Sequence, residues 1–245
     1  RAVGAGALLW FLTRPDAAVS IRGRQGWTPD WQVIRRMMRL GLPSMGEQLL
    51  MSAGMLAYAI VSLSLGTIVY AAQRVTFQIM SLTFMPGFGY GLAATAIVGQ
   101  YLGAGKPDLS ERANAHATKV AVVLMTSVGL ITAALGRPLM RVFTNDLEMI
   151  RIGAQAMWVI ALAWPAMAVG QVVAGSLRGA GDTRFPMYVT FLGIWLMRVP
   201  LSYLFGPALS WGLPGIYIAN IADSVVRAVA CWLRYRTGSW RDIEV

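Results

Sequence analysis

Apolar residues in this chain neither alternate nor form narrow stripes; they run in long blocks separated by short polar connections. Six blocks stand out: Leu40 to Gly66, Ile68 to Leu102, Arg112 to Leu135, Met149 to Ser176, Phe185 to Phe205 and Leu213 to Leu233. A hydrocarbon core of about 30 Å takes roughly 20 residues of helix, so each block is long enough to cross. Lipid offers no partner to an unpaired amide, and the ten-residue alternating segments of an outer-membrane barrel are absent, so the blocks are predicted to be helices. The expected fold is all-α, a polytopic membrane protein with a six-helix bundle. A seventh apolar run, "AVGAGALLWFL" (Ala2 to Leu12), has about half the needed length and no small-residue cleavage site after it, and reads as the tail of a span that begins before the chain does.

Composition strengthens the membrane reading. Of 245 residues 56% are hydrophobic and 13% charged, against about a quarter charged in an ordinary soluble domain. The net charge of +10 has to be read by position. Thirteen Lys and Arg fall on one side: Arg14, Arg22, Arg24, Arg35, Arg36 and Arg39 before the first span, Lys106 and Arg112, Arg178 and Arg184, then Arg234, Arg236 and Arg241. The alternate side has Arg137, Arg141 and Arg151 in a single loop. By the positive-inside rule both ends of the six-span unit are cytoplasmic. "DWQVIRRMMR" (Asp30 to Arg39) mixes apolar residues and arginines as an interfacial amphipathic helix does; a solvated linker ending in a helix start is the plainer alternative.

Pro43, Pro86, Pro165, Pro186 and Pro200 interrupt the spans, and "MPGFGYG" (Met85 to Gly91) adds Gly87 and Gly89 to Pro86. Kinks are expected at Pro86, Pro165 and Pro200, as in a protein that changes shape, though static membrane proteins carry them too. Inside the apolar blocks, Arg198 lies about 20 Å from one membrane face and Asp223 about 15 Å from the other, at 1.5 Å per residue. The two can therefore reach each other, with Arg227 one helical turn beyond Asp223. Charges at this depth are rare and turn toward a bundle interior or a cavity. They read as a structural triad or as a proton or substrate relay. Glu47 and Gln48 stand about 10 Å into the first span; a carboxylate partly withdrawn from water suits ion coupling, and equally suits satisfying the backbone near Pro43. Gln73, Arg74 and Gln78 form a further polar patch that reads as a cavity mouth.

No catalytic constellation is present: His116 and Cys231 are single, and neither metal-ligand spacing, a nucleophile elbow nor a Walker loop occurs. "SLRGAGDTRFP" (Ser176 to Pro186) is glycine-rich but has no lysine-serine pair to hold phosphate. It reads as a hairpin turn in which Gly179 and Gly181 end one helix in left-handed geometry and Asp182 or Thr183 caps the next; "LGAGKPD" (Leu102 to Asp108) is a similar turn on the same face.

"GLPSMGEQLL" (Gly41 to Leu50), "AAQRVTFQIMSLTFMPGFGYGLAATAIVGQYLGAG" (Ala71 to Gly105), "LRGAGDTRFPMYV" (Leu177 to Val189) and "YRTGSW" (Tyr235 to Trp240) together resemble the bacterial multidrug and toxic compound extrusion (MATE) transporters. The resemblance implies a secondary transporter of twelve helices in two lobes, in the inner membrane, exporting organic, often cationic, compounds in exchange for protons or sodium by alternating access. It implies that residues 1–12 end the last helix of an N-terminal lobe, 13–39 form a cytoplasmic linker and interfacial helix, 40–236 are the C-terminal lobe and 237–245 a cytoplasmic tail. The expected partners are the bilayer, a small organic substrate and the N-terminal lobe, with no nucleic acid and no cofactor besides the coupling ion. Glu47 stands in the "GLP…EQ" motif, but family members differ in which lobe holds the coupling acid. A lipid-linked precursor flippase of related architecture, left open by Arg74, Arg198 and Arg227, and a non-transporting scaffold are the alternatives.

Overall fold

The computed structural model describes residues 31–238 and 240; the readings of Ala2 to Leu12, Thr13 to Asp30 and Arg241 lie outside these. The chain divides into Arg1–Arg39 and Leu40–Val245. Of the first unit, residues 31–39 are helical, with Trp31, Met37 and Met38 exposed. All regular structure described is helical: α1 (Trp31–Leu63), α2 (Thr67–Gly103), α3 (Pro107–Ala134), a short α4 (Gly136–Arg141), α5 (Leu147–Ala161), α6 (Trp164–Gly179), α7 (Arg184–Ala208) and α8 (Gly212–Arg236).

Four helices, α2, α3, α7 and α8, are long and apolar enough to cross a membrane, and α5 with α6, bent by 55°, makes a fifth if the pair is one span. The bend falls at Leu162 and Ala163, just before Pro165, where the missing amide donor removes a helix bond and the chain turns. The first span lies in α1, which runs unbroken for 33 residues and ends in the apolar stretch Gln48–Leu63. α2 stays helical through Pro86, Gly87 and Gly89. Gly87 makes room for the Met125 thioether of α3.

α2, α3 and α6 are the packed centre, with α8 against α6. Close approach replaces hydrophobic collapse here, since lipid tails are as apolar as leucine. Gly91, Thr95 and Gly99 on α2 meet Gly175 and Gly179 on α6, a Cβ on either Gly175 or Gly179 would overlap α2 backbone, and the Thr95 hydroxyl donates to Gly175 O at 2.8 Å. Between α3 and α6 the buried Ser176 hydroxyl donates to Asn114 Oδ1 at 2.7 Å. Gly129 on α3 receives the edge of the Trp164 indole.

The two glycine turns share one hydrogen-bond scheme. Gly105 donates to Leu102 O and Lys106 to Tyr101 O; Gly181 donates to Arg178 O and Asp182 to Leu177 O. This is the Schellman arrangement, and φ of 68° at Gly105 and 87° at Gly181 is what calls for glycine. Gly179, expected to be left-handed, is an ordinary helical residue whose missing side chain serves the contact with Thr95. Of the two expected caps it is Asp182 that acts, accepting from the Phe185 amide at 3.3 Å, while Thr183 makes no capping bond.

Candidate functional site

α7 is the irregular element. Gly193–Arg198 and Leu204–Ala208 wind as π-helix, separated by the α-helical turn Val199–Tyr203. Pro200 and Pro207 supply the cause: each lacks a donor and clashes with the carbonyl four residues back, so the helix widens around it. The widened turn carries Arg198 to α8. Its guanidinium lies 2.5 Å from Asp223 Oδ2, with side-chain exposures of 13% and 0%. The depth estimate from sequence thus brought the right pair together. The contact is one of charge: neither Asp223 oxygen receives a hydrogen bond of good angle, and Arg198 Nε has no partner. Gly193 lets this happen, because the space its Cβ would fill is held by Asp223 Oδ1 and the Arg227 stem.

Beside the pair lies a cavity of about 250 Å³, walled by α1, α2, α6, α7 and α8 with Ile160 of α5. Met51, Met55, Phe77, Met80, Phe84, Trp164 and Met167 give it an apolar body. Such a lining, with a few placed polar groups, is how small-molecule sites are built. The polar groups come largely from single helix faces. On α8 they are Tyr217, Asn220, Ser224 and Arg227, at spacings of three and four; on α2 Gln73, Arg74 and Ser81. Tyr58 of α1 closes one side, its hydroxyl 3.4 Å from Ile216 O and next to Gln73 and Asn220.

With that geometry in view, the likeness to known proteins decides the lineage. A family model described as MatE matches residues 43–204. The chain belongs to the MatE family. It is 32% identical over 241 residues to the "Probable multidrug resistance protein NorM" of Thermotoga maritima, covering 98% of this chain and 51% of that protein. To the "Multidrug resistance protein MdtK" of Yersinia pseudotuberculosis it is 29% identical, covering 93% and 51%. The chain thus spans about half the length of the curated relatives it matches. A crystal structure of MATE in the straight conformation shares the fold, with a TM-score of 0.86 at 21% identity, over 99% of this chain and 55% of that one.

Of the residues singled out from sequence, this MatE chain brings Gln73, Arg74, Arg198 and Arg227 to the cavity wall and sets Asp223 behind Arg198. Gln78 is exposed and does not line the cavity, since 77 and 81 hold that face of α2. Gln48 is exposed, and its carbonyl accepts from the Ser52 hydroxyl at 2.9 Å; the Glu47 side chain lies outside what the structure describes. Pro165 sits at the α5–α6 bend and Pro200 between the π turns, as described above. Tyr58, Gln171, Tyr217, Asn220 and Ser224 also line the cavity and were missed. The α8 spacing was the signal for three of them: residues 217, 220, 224, 227 and 231 all fall on one helix face. Among the described residues no group of His, Cys, Asp and Glu is arranged to hold a metal ion.

Proposed function

We propose that the protein is a secondary active exporter of amphipathic organic compounds, driven by a proton or sodium gradient and working by alternating access. The cavity described above would be one wall of the substrate path, the facing wall coming from a second, N-terminal lobe. The observation that carries the reading is an apolar cavity with a sparse set of polar groups, at mid-depth of a helix bundle, beside a π-wound helix. π turns give a helix a second way to hydrogen-bond, and such turns concentrate at functional sites. The basic connections put both ends of the bundle on the cytoplasmic side of the inner membrane. Arg198 and Asp223 tie α7 to α8, and Glu47 is the candidate coupling carboxylate of this half. The names of the relatives, multidrug resistance proteins, support export of more than one compound.

The test is transport by the full-length protein in inside-out vesicles. Dye accumulation should follow an imposed proton or sodium gradient, collapse with an ionophore, and fall severalfold in Glu47→Gln with unchanged membrane yield. Accumulation indifferent to both gradients would remove the reading. The flippase alternative draws on the three arginines of the wall; it requires movement of a lipid-linked pyrophosphate between leaflets by the same protein with no accumulation of soluble dye.

A further inference from the structure

The exposed face of α3 carries charge where an apolar surface is expected. Lys119 lies inside the third apolar block, and ionisable groups there normally turn toward a bundle interior or a cavity. Lys119 does neither: it is exposed, and no residue of α3 lines the cavity. The buried face of α3, with Ser110, Asn114, Ala121, Met125 and Gly129, belongs to the packing on α2 and α6. At about 100° per residue, Arg112, His116 and Lys119 fall within about 60° of one another on the opposite face, and all three are exposed. The same strip runs on into Val123 and Leu130, 67% and 48% exposed. Asp108 stands at its other end, in the first turn of α3, where the helix N-terminus offsets its charge. Among the described residues no ion pair or side-chain hydrogen bond engages Arg112, His116 or Lys119.

Depth explains why these residue types share a strip. Counting about 20 residues back from Ala134, enough for about 30 Å of hydrocarbon, places the nearer border at Ala115. Arg112 then stands about 5 Å outside the hydrocarbon, at headgroup level, and Lys119 about 6 Å within it. A lysine facing lipid at that depth runs its stem along apolar surface and carries its ammonium back to the border. There it arrives beside His116 and one turn from Arg112. Two cations and a ring N–H donor meet at one level, above an apolar strip.

We infer that this strip binds an anionic phospholipid, its phosphate between Arg112 and Lys119 with His116 donating, and one acyl chain along Val123 and Leu130. Arg112 supplies a planar fork that suits phosphate oxygens, and Lys119 a point charge that can follow them. A zwitterionic headgroup would bring its own cation among basic groups, so charge complementarity selects an anionic one. A second lobe is not the occupant, because the cavity that such a lobe would complete draws none of its lining from α3. The inference is independent of the exporter reading and requires only that α3 stands in a bilayer.

The test adds equal amounts of phosphatidylglycerol and phosphatidylcholine, with identical acyl chains, to the full-length protein in detergent and counts the retained lipids by native mass spectrometry. Phosphatidylglycerol should be retained at least tenfold over phosphatidylcholine. Arg112→Gln and Lys119→Gln should each weaken that retention about fivefold, the scale of one cation against an anionic lipid surface, and the double variant should erase the preference. Lys119→Arg should keep it. Arg236→Gln, which removes an equal charge from the exposed side chain over Trp232 on α8, should leave it unchanged. Lys119→Leu separates binding from folding: leucine suits a lipid-facing position, so the thermal midpoint should hold while the preference falls. Equal retention of the two lipids, or a preference indifferent to Arg112 and Lys119, overturns the inference. Displacement of phosphatidylglycerol by an equal concentration of glycerol 3-phosphate assigns the strip to a soluble phosphate and overturns it as a lipid site. A collapsed midpoint in Lys119→Leu with the preference intact means that the strip meets protein, and overturns it as well.

Discussion

The two sides of α6 are built to opposite rules. Toward α2 the backbones touch: Gly175 and Gly179 meet Gly91, Thr95 and Gly99, with a threonine hydroxyl sewn across the seam. Around the cavity from it, α7 and α8 meet through a charge pair set in a helix wound partly as π-helix. A glycine seam has one good arrangement, because any slide of a few ångströms drives side chains into backbone. An ion pair without directed hydrogen bonds, on a helix with two hydrogen-bonding registers, tolerates movement. The first rule gives a fixed frame of α2, α3 and α6; the second gives a wall that can adjust around a ligand. Sorting the two rules experimentally means breaking each and asking whether stability or transport is lost.

The largest effect is expected at Asp223. Asp223→Ala leaves Arg198 buried without its acid, a loss of about 3–5 kcal/mol for one partner of a buried pair. Thermal midpoints of the detergent-purified full-length protein should drop steeply, and Arg198→Met with Asp223→Leu together should recover most of the loss. Singles that keep the midpoint but lose gradient-driven uptake would instead make the pair a relay, and the comparison with the seam would fail. Next comes Gly175→Ala. Its added Cβ falls on Gly91 backbone, which cannot yield as a side-chain tip can; overpacking of this kind costs typically about 1–3 kcal/mol. Reduced membrane yield and a lower midpoint are expected, with per-molecule substrate affinity unchanged in what survives. A shift in affinity would show that the frame also moves in the cycle. Thr95→Val comes third, at about 1 kcal/mol or less, the scale of an interhelical hydrogen bond in membrane proteins, read from the same midpoints.

Much of this contrast was legible in the residue pattern. Block lengths gave the helices, and a rise of 1.5 Å per residue was enough to pair Arg198 with Asp223, because depth in a membrane is nearly a one-dimensional coordinate. Rotation about the helix axis is what the blocks hide. Gln78 was grouped with Arg74 by spacing alone, yet it faces away from the cavity, since lipid-facing and cavity-facing residues of an apolar helix can be equally greasy. Tyr58, about three helical turns from the nearest charge in sequence, carried no signal of its own. Proline positions announced trouble without its form: Pro165 ends in a bend, Pro86 lies within an unbroken helix with Met125 seated at Gly87, and Pro200 adjoins a π turn. Which outcome follows depends on neighbours far away in sequence.

The smallest single effect, that of Arg234→Gln, is expected where two of the motifs meet. Trp240 of "YRTGSW" is buried, stacks on Tyr235 with ring centroids 4.7 Å apart and donates its indole NH to Tyr235 O at 2.7 Å. From the same helix end Arg234 reaches the glycine turn, its Nε 2.9 Å from Asp182 Oδ2 and its guanidinium 5.5 Å from the Phe185 ring. The α6–α7 turn is thereby tied to the end of α8, a fixed point beyond the adjustable wall. Arg234 is a third exposed, so the ion pair itself is worth under about 1 kcal/mol. Asp182 does two jobs, pairing with Arg234 and capping α7, and a lost cap costs about 1 kcal/mol more. Asp182→Ala should therefore lower the midpoint further than Arg234→Gln, and Asp182→Asn, which keeps a capping oxygen, should fall between them. Equal losses from all three would mean that the charge pair alone holds the turn. Losses in uptake out of proportion to stability would mean that this end of α8 moves with the wall rather than anchoring it.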